Sequence, residues 1–213
     1  MDIVCVLFDG ITALDIVGPY EVLQRLPEAS VTFTARERGE VRTDNRSLAL
    51  VADETFADTT HADVLVVPGG FATRALESDG ELLEWIRAID RTTTWTTSVC
   101  TGSMLLAAAG LLEGKEATTH WASLDRLRDY GAIPTGRRVV EQGKIVTAAG
   151  VSAGIDMALT LAARIADDDV AQAIQLGIEY DPQPPFDAGS VDTAPPAIVE
   201  TLASMYAARG VAR

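Results

Sequence analysis

The sequence predicts an α/β protein: a three-layer sandwich with a mainly parallel central sheet and helices on both faces. Three observations carry this expectation. Short apolar runs alternate with helix-like stretches from the first residues onward. The runs at residues 3–8 and 64–67 are apolar at successive positions, as in strands buried on both faces. No internal repeat or low-complexity linker interrupts the alternation.

Taken in order, residues 3–8 form the first strand, and Asp9-Gly10 turns the chain. Residues 16–26 have helical spacing, with Pro19 in the first turn, where its missing N–H costs nothing. Residues 31–35 are β-branched and aromatic, hence strand. Residues 39–52 read as a hairpin or short strands around Asp44-Asn45. The strand at 64–67 ends in Pro68-Gly69-Gly70, a turn with exposed backbone amides. Residues 81–89 are an amphipathic helix. The strand at 94–99 runs straight into Cys100-Thr101-Gly102-Ser103 and an apolar helix at 104–109, with Gly110 as its natural stop. A hairpin follows around Gln142-Gly143, then helices at 155–165 and 167–180. Residues 182–196 are a Pro/Gly-rich arm, and 197–208 a last helix. The expected organisation is one α/β domain over 1–181. Residues 182–213 form an arm and helix packed on that domain or on a dimer partner.

Composition narrows the function. The formal net charge of −14 argues against a nucleic-acid partner, because phosphate binding needs a basic face. It argues equally against anionic membrane surfaces. Lys115 and Lys144 are the only lysines, against fifteen arginines. An acidic, lysine-poor surface fits a high-salt cytoplasm. A GC-rich genome that favours Arg codons explains it equally well. No apolar run reaches the roughly 18 residues of a membrane helix. The N-terminus lacks the basic region and cleavage site of a signal peptide. Two cysteines are too few for a disulfide framework, so the cytoplasm is expected.

In parallel sheets, ligands bind outside the carboxyl ends of the strands. Asp15, Gly69-Gly70 and Cys100 all fall at that edge. Cys5, inside the first strand, reads as a small buried apolar group. Cys100 differs by lying between a buried strand and the first turn of a helix, where unpaired amides favour thiolate over thiol. Asp15 has two readings. It is a first-turn acid for the following helix, or a carboxyl whose pKa a nearby thiolate raises, so that it holds and delivers a proton. Gly69-Gly70 is either a plain turn or a source of amides for developing negative charge. Thr101 offers its N–H to the same end and its hydroxyl to substrate or thiolate. A Cys–His pair would activate a thiol, but His120, followed by Trp121, is read first as a structural histidine. His61 reads as exposed. Two scattered histidines and no cysteine cluster predict no metal site. The absence of Gly-x-Gly-x-x-Gly and P-loop motifs predicts no nucleotide cofactor.

Several segments carry a resemblance. They are Leu14-Asp15-Ile16-Val17-Gly18-Pro19, Val67-Pro68-Gly69-Gly70, Thr97-Ser98-Val99-Cys100-Thr101-Gly102-Ser103, Ala117-Thr118-Thr119-His120-Trp121 and Ser152-Ala153-Gly154-Ile155-Asp156. To these add the stretch from Glu179-Tyr180 through Pro184-Pro185-Phe186 to Asp192-Thr193-Ala194-Pro195. In these the chain resembles the ThiJ/PfpI superfamily, with its flavodoxin-like, glutamine-amidotransferase-like fold, and within it the bacterial isocyanide hydratases. The resemblance implies Cys100 as nucleophile, Asp15 as acid/base partner and Thr101 as a supporting group. It implies contacts to the site from the amides of Gly70 and Val151, and leaves His120 and Trp121 as further possible site residues. It also implies a homodimer, no cofactor and an isocyanide as small-molecule substrate. The product would be an N-substituted formamide, reached through a covalent Cys100 thioimidate. The hydratases carry a hydroxyl residue where this chain has Val17, which bears on the substrate pocket. Competing expectations are a glyoxalase-like or amidase activity of the same superfamily, or a redox or ligand sensor. A sensor that regulates transcription would need a basic DNA-binding module beyond Arg213.

Overall fold

The structure is a computed structural model, and it describes residues 1–208. In chain order the elements are β1 (Asp2–Val6), α1 (Ala13–Leu23), β2 (Ser30–Ala35), β3 (Gly39–Arg42), β4 (Ala49–Ala52), β5 (Glu54–Thr55) and β6 (Val64–Val67). There follow α2 (Thr73–Leu76), α3 (Gly80–Asp90), β7 (Trp95–Val99), α4 (Gly102–Ala108) and β8 (Glu116–Ala117). A 3-10 segment, Trp121–Tyr130, leads to β9 (Ile133–Pro134), β10 (Val139–Gln142) and β11 (Ile145–Ala148). The last elements are α5 (Ala153–Ile165), α6 (Asp168–Gly177) and α7 (Pro196–Ala208).

Seven strands form the central sheet in the order β10-β11-β7-β6-β1-β2-β5. All its pairings are parallel except the β10–β11 hairpin at one edge. β1 and β6 sit at the centre, and Ile3, Leu65 and their neighbours are almost fully excluded from solvent. That explains their unbroken apolar runs, because each successive side chain meets a helix layer on one face or the other. α1 packs on α5 and α5 on α6, while α2, α3 and the 3-10 segment gather on α4. Each fully buried Leu or Ile in these layers contributes roughly 1.5–3 kcal/mol. The fold is the α/β sandwich expected.

Local differences have physical causes. The first helix starts at Ala13, so Pro19 lies in its interior and not in its first turn. A proline there leaves the Asp15 carbonyl without its helical partner. The early start follows from the loop after β1. Ile11 is pinned by bridges to Thr43 and to Gly70, which delivers the chain to Thr12 ready to turn. The helix near the C-terminus ends at Gly177, short of Tyr180. The hairpin at 39–52 is antiparallel β3–β4, separate from the main sheet. β5, α2, β8, β9 and the 3-10 segment had no counterpart in the expectation. None of the described helices is long and apolar enough to cross a membrane.

Candidate active site

Strand order builds the site. β7, β6 and β1 are adjacent in the sheet, so the loops leaving their carboxyl ends meet. These loops carry Cys100, Gly69-Gly70 and Asp15, as the topology argument required.

Cys100 occupies a sharp turn between β7 and α4. Its φ is +55°, a left-handed conformation that a residue with a side chain adopts at a cost. Its N–H donates to the carbonyls of Ala148 and Ala149 at the end of β11. Its own carbonyl accepts from the Thr119 hydroxyl at 2.8 Å and the Ser103 hydroxyl at 3.2 Å. The turn is therefore held from three directions. It is tight because Gly102 lets α4 approach β6: a Cβ there would lie 2.2 Å from the Val67 carbonyl oxygen.

Asp15 lies beneath the sulfur in the first turn of α1 and has no exposed surface. Its Oδ2 accepts from the Gly69 N–H at 2.9 Å. Its Oδ1 is buried with no hydrogen-bond partner among the described residues, and the carboxyl and the Cys100 thiol shift each other's pKa. Gly69 is small for a reason, since a Cβ there would sit 2.6 Å from the Thr101 nitrogen and 2.8 Å from Asp15 Oδ2.

The electrostatics differ in cause from the sequence expectation. Burial pushes the Asp15 carboxyl up to about 7, and Asp44 adds to the rise, while the Gly69 amide and the Cys100 thiol oppose it. Burial, and then the Asp15 charge, push the Cys100 thiol well above its usual range. The N–H groups of Val151 and Thr101 pull it back. The expected helix-stabilised resting thiolate is thus outweighed by desolvation. α4 is only seven residues long, and the donors at the sulfur are two local amides. Val151 is turned toward it by its own left-handed φ of +41°. Above a pH of about 7 the two groups share one proton, on sulfur or on carboxyl.

Thr101 and Gly70 bind each other. The Gly70 N–H donates to Thr101 Oγ1 at 3.1 Å, and that hydroxyl lies 3.2 Å from the Gly70 carbonyl oxygen. Both line the pocket, but the Gly70 amide expected at the reacting atoms is committed to Thr101, so Thr101 and Val151 supply the amides at the sulfur. His120 also lines the pocket, and burial pushes its pKa down. Its Nδ1 accepts from the Ala122 N–H at 3.3 Å, as a capping group. Trp121 stands behind it, with ring centroids 5.6 Å apart, outside the pocket lining.

The pocket over the sulfur measures about 170 Å³ and is lined by Thr12, Asp44, Gly70, Phe71, Cys100, Thr101, His120, Val151 and Tyr206. A larger hollow, about 370 Å³, lies beside the ends of β1 and β2 and includes neither Cys100 nor Asp15. Chemistry selects the smaller one. Thr12, Asp44, Phe71 and Tyr206 were not anticipated. Tyr206 arrives from α7 and meets the His120 ring edge-on, with centroids 5.2 Å apart. Cys5 is sealed in the core, its thiol pushed up to about 12 by burial. Asp2, His61 and Asp63 bring possible metal-ligand atoms within 4.8 Å of one another. They sit at the opposite end of β1 and β6. There Asp63 Oδ2 accepts the Asp2 N–H, and His61 pairs with Asp63 at 3.5 Å.

A nucleophile elbow over a parallel sheet, with a buried carboxyl under the sulfur and two amides on it, defines a thiol-based site of the DJ-1/PfpI kind. The chain belongs to the DJ-1/PfpI family, whose sequence model matches residues 1–164. It is 47% identical over 194 residues to the isonitrile hydratase of Pseudomonas putida, covering 91% of this chain and 85% of that one. A ThiJ/PfpI family protein from Pseudomonas syringae has a solved structure that superposes with a TM-score of 0.94 at 39% identity, covering 97% of this chain and 86% of the other. The chain is also 31% identical over 122 residues to the HTH-type transcriptional regulator CdhR of Pseudomonas aeruginosa, covering 56% of this chain and 36% of the regulator.

Proposed function

We propose that this chain is an isocyanide hydratase: a cysteine-dependent lyase that adds water to R–N≡C to give R–NH–CHO. One observation carries the chemistry, namely the pairing of a pocket-facing sulfur with a fully buried carboxyl whose Oδ1 lacks an N–H or O–H donor. The 47% identity to an isonitrile hydratase over most of both chains supports the substrate class.

The reaction runs as proton transfers through Asp15. The carboxylate takes the Cys100 proton, and the Val151 and Thr101 amides stabilise the charge left on sulfur. The thiolate attacks the terminal isocyanide carbon, and Asp15 gives that carbon its proton. The adduct is a thioimidate, R–N=CH–S–Cys100. Asp15, again ionised, takes a proton from water as the hydroxide adds to the same carbon. The hydroxyl proton passes to nitrogen, the carbonyl forms, and the C–S bond breaks. Formamide leaves, and the sulfur and carboxyl again share one proton. Covalent capture splits one difficult addition into two easier steps. Cys100, Asp15 and Thr101 are the catalytic group in this reading, with Val151 as amide donor and Gly70 fixing Thr101. His120 and Trp121 form the wall. No metal or cofactor takes part.

In the same reading residues 1–181 are the catalytic domain and 182–213, of which 209–213 lie outside the described residues, an arm that completes a homodimer in the cytoplasm. The arm supports this by what it leaves outside: Phe186 is 77% exposed, and none of the described α7 residues is buried.

The test is formamide production from an alkyl isocyanide by wild type, Cys100→Ala and Asp15→Asn. Turnover in wild type and none in either variant is expected. A wild-type chain that hydrates none of several alkyl and aryl isocyanides overturns the proposal.

A further inference from the structure

Resting on that reading, we infer that Asp44 sets the charge selectivity of the pocket: the substituent R is neutral or cationic, and anionic isocyanides are rejected.

The argument starts from the lining. Among its nine described lining residues Asp44 is the one acidic side chain, and burial drives His120 toward its neutral form. Among the described residues, no lysine or arginine lines the pocket. Its other large groups are aromatic. Phe71 and His120 both face Tyr206, with ring centroids 6.4 and 5.2 Å from it. Aromatic faces beside a carboxylate attract an ammonium group and offer nothing to a carboxylate. A second carboxyl, Asp15, lies below the sulfur and adds to the same potential.

Asp44 is held in place although it sits on an exposed hairpin tip. Its Oδ2 accepts from the Thr12 hydroxyl at 3.3 Å, and its Oδ1 accepts the Asn45 N–H at 2.7 Å. Its own N–H donates to the Ile11 carbonyl at 3.0 Å. Ile11 in turn bridges to Gly70, so the hairpin tip is tied to the loop that forms the pocket floor. Among the described residues, the arginines flanking it in sequence are engaged elsewhere: Arg42 pairs with Glu40, and Arg46 lies 4.0 Å from Asp9. Asp44 also acts on the reacting pair, since its charge raises the Asp15 pKa.

Two measurements separate this inference from the hydratase reading. The first is kcat/KM for isosteric neutral, trimethylammonium-bearing and carboxylate-bearing alkyl isocyanides. Wild type should favour the cation over the anion by about tenfold or more at low ionic strength. Asp44→Asn should collapse that ratio toward one and move the Asp15-linked limb of the pH profile to lower pH. The second needs no turnover. Cationic and anionic methanethiosulfonates each form a mixed disulfide with Cys100 and release methanesulfinate, and mass spectrometry reads the rates. With free cysteine as reference, wild type should prefer the cationic reagent, and Asp44→Asn and Asp44→Ser should lose the preference. Cys5, sealed in the core, is the unreactive internal control. Hydration of the neutral isocyanide with equal labelling by both reagents, in wild type and variants alike, overturns the role of Asp44 and leaves the hydratase reading standing. Failure to hydrate any isocyanide, with the labelling preference intact and lost in both variants, overturns the hydratase reading and leaves the charge-selective pocket standing.

Discussion

Replacing Asp15 by Asn should stabilise the protein while abolishing turnover, and the gain should grow with pH. The carboxyl is raised from 3.8 to about 7 by burial. The folded chain therefore keeps a proton that the unfolded chain releases. Stability contributed by this group falls as pH rises from 3.8 to about 7, and then levels off. A shift of about 3 units corresponds to about 4 kcal/mol. By the same linkage about 2 kcal/mol of that penalty is present at pH 5.5 and about 4 kcal/mol at pH 8. Asparagine keeps the oxygen that accepts the Gly69 N–H and adds a donor toward Cys100, and it has no charge to bury. Urea denaturation of both proteins between pH 5.5 and 8 reads the difference directly. At pH 8 the variant should melt higher by roughly 8–16 °C, using 2–4 °C per kcal/mol for a chain of this size. A stability difference that stays flat across this range would refute the assignment of a raised, buried carboxyl, because a lost or altered hydrogen bond does not titrate.

Two further outcomes follow from the same geometry. In wild type kcat/KM should climb about tenfold per pH unit below about 7 and level off above it, because a second proton on the pair leaves Asp15 unable to accept the one on sulfur; stopped assays across pH 5.5–8.5 check this. Gly102→Ala should cost about 2 kcal/mol or more and at least about 100-fold in rate. The new Cβ would meet the Val67 and Pro68 carbonyl oxygens at 2.2 and 2.7 Å and push α4, with Cys100, off β6. Denaturation and formamide assays on the same preparation test both halves.

The buried strands were legible because β1 and β6 are apolar at every step, which only a two-sided burial explains. The elbow was legible because a strand, a cysteine and a glycine follow one another without a spacer. The start of α1 was not: Thr12 and Asp15 have the spacing of a capping box, but the Thr12 hydroxyl is spent on Asp44 and the Asp15 carboxyl on Gly69, so neither caps the helix. Asp15 was placed correctly at the sheet edge, but its complete burial depends on the Gly69 turn and the Cys100 elbow closing on its carboxyl from distant parts of the chain. Asp44 was read as a turn residue, which it also is. A turn aspartate gives no sign of which loop its carboxylate will face. Tyr206 joins the pocket only through the path of the arm, where periodicity is silent, whereas Phe71 enters from the loop after β6, directly beyond Gly70.

Two kinds of cost coincide at the site. Cys100 and Val151, neither a glycine, both hold a positive φ, at about 1–3 kcal/mol each. Beside them a carboxyl is buried with one oxygen lacking an N–H or O–H donor. The core of β1, β6 and α4 offsets these penalties, but nothing in packing requires them. An alanine at 100 would fill β7's end as well, and an asparagine at 15 would satisfy Gly69. What the strained backbone does accomplish is to aim two amides at one sulfur, and what burial accomplishes is to keep a proton within reach of it near neutral pH. A cysteine that only filled space would gain from neither arrangement, which is why the strain and the raised carboxyl point to the same covalent chemistry.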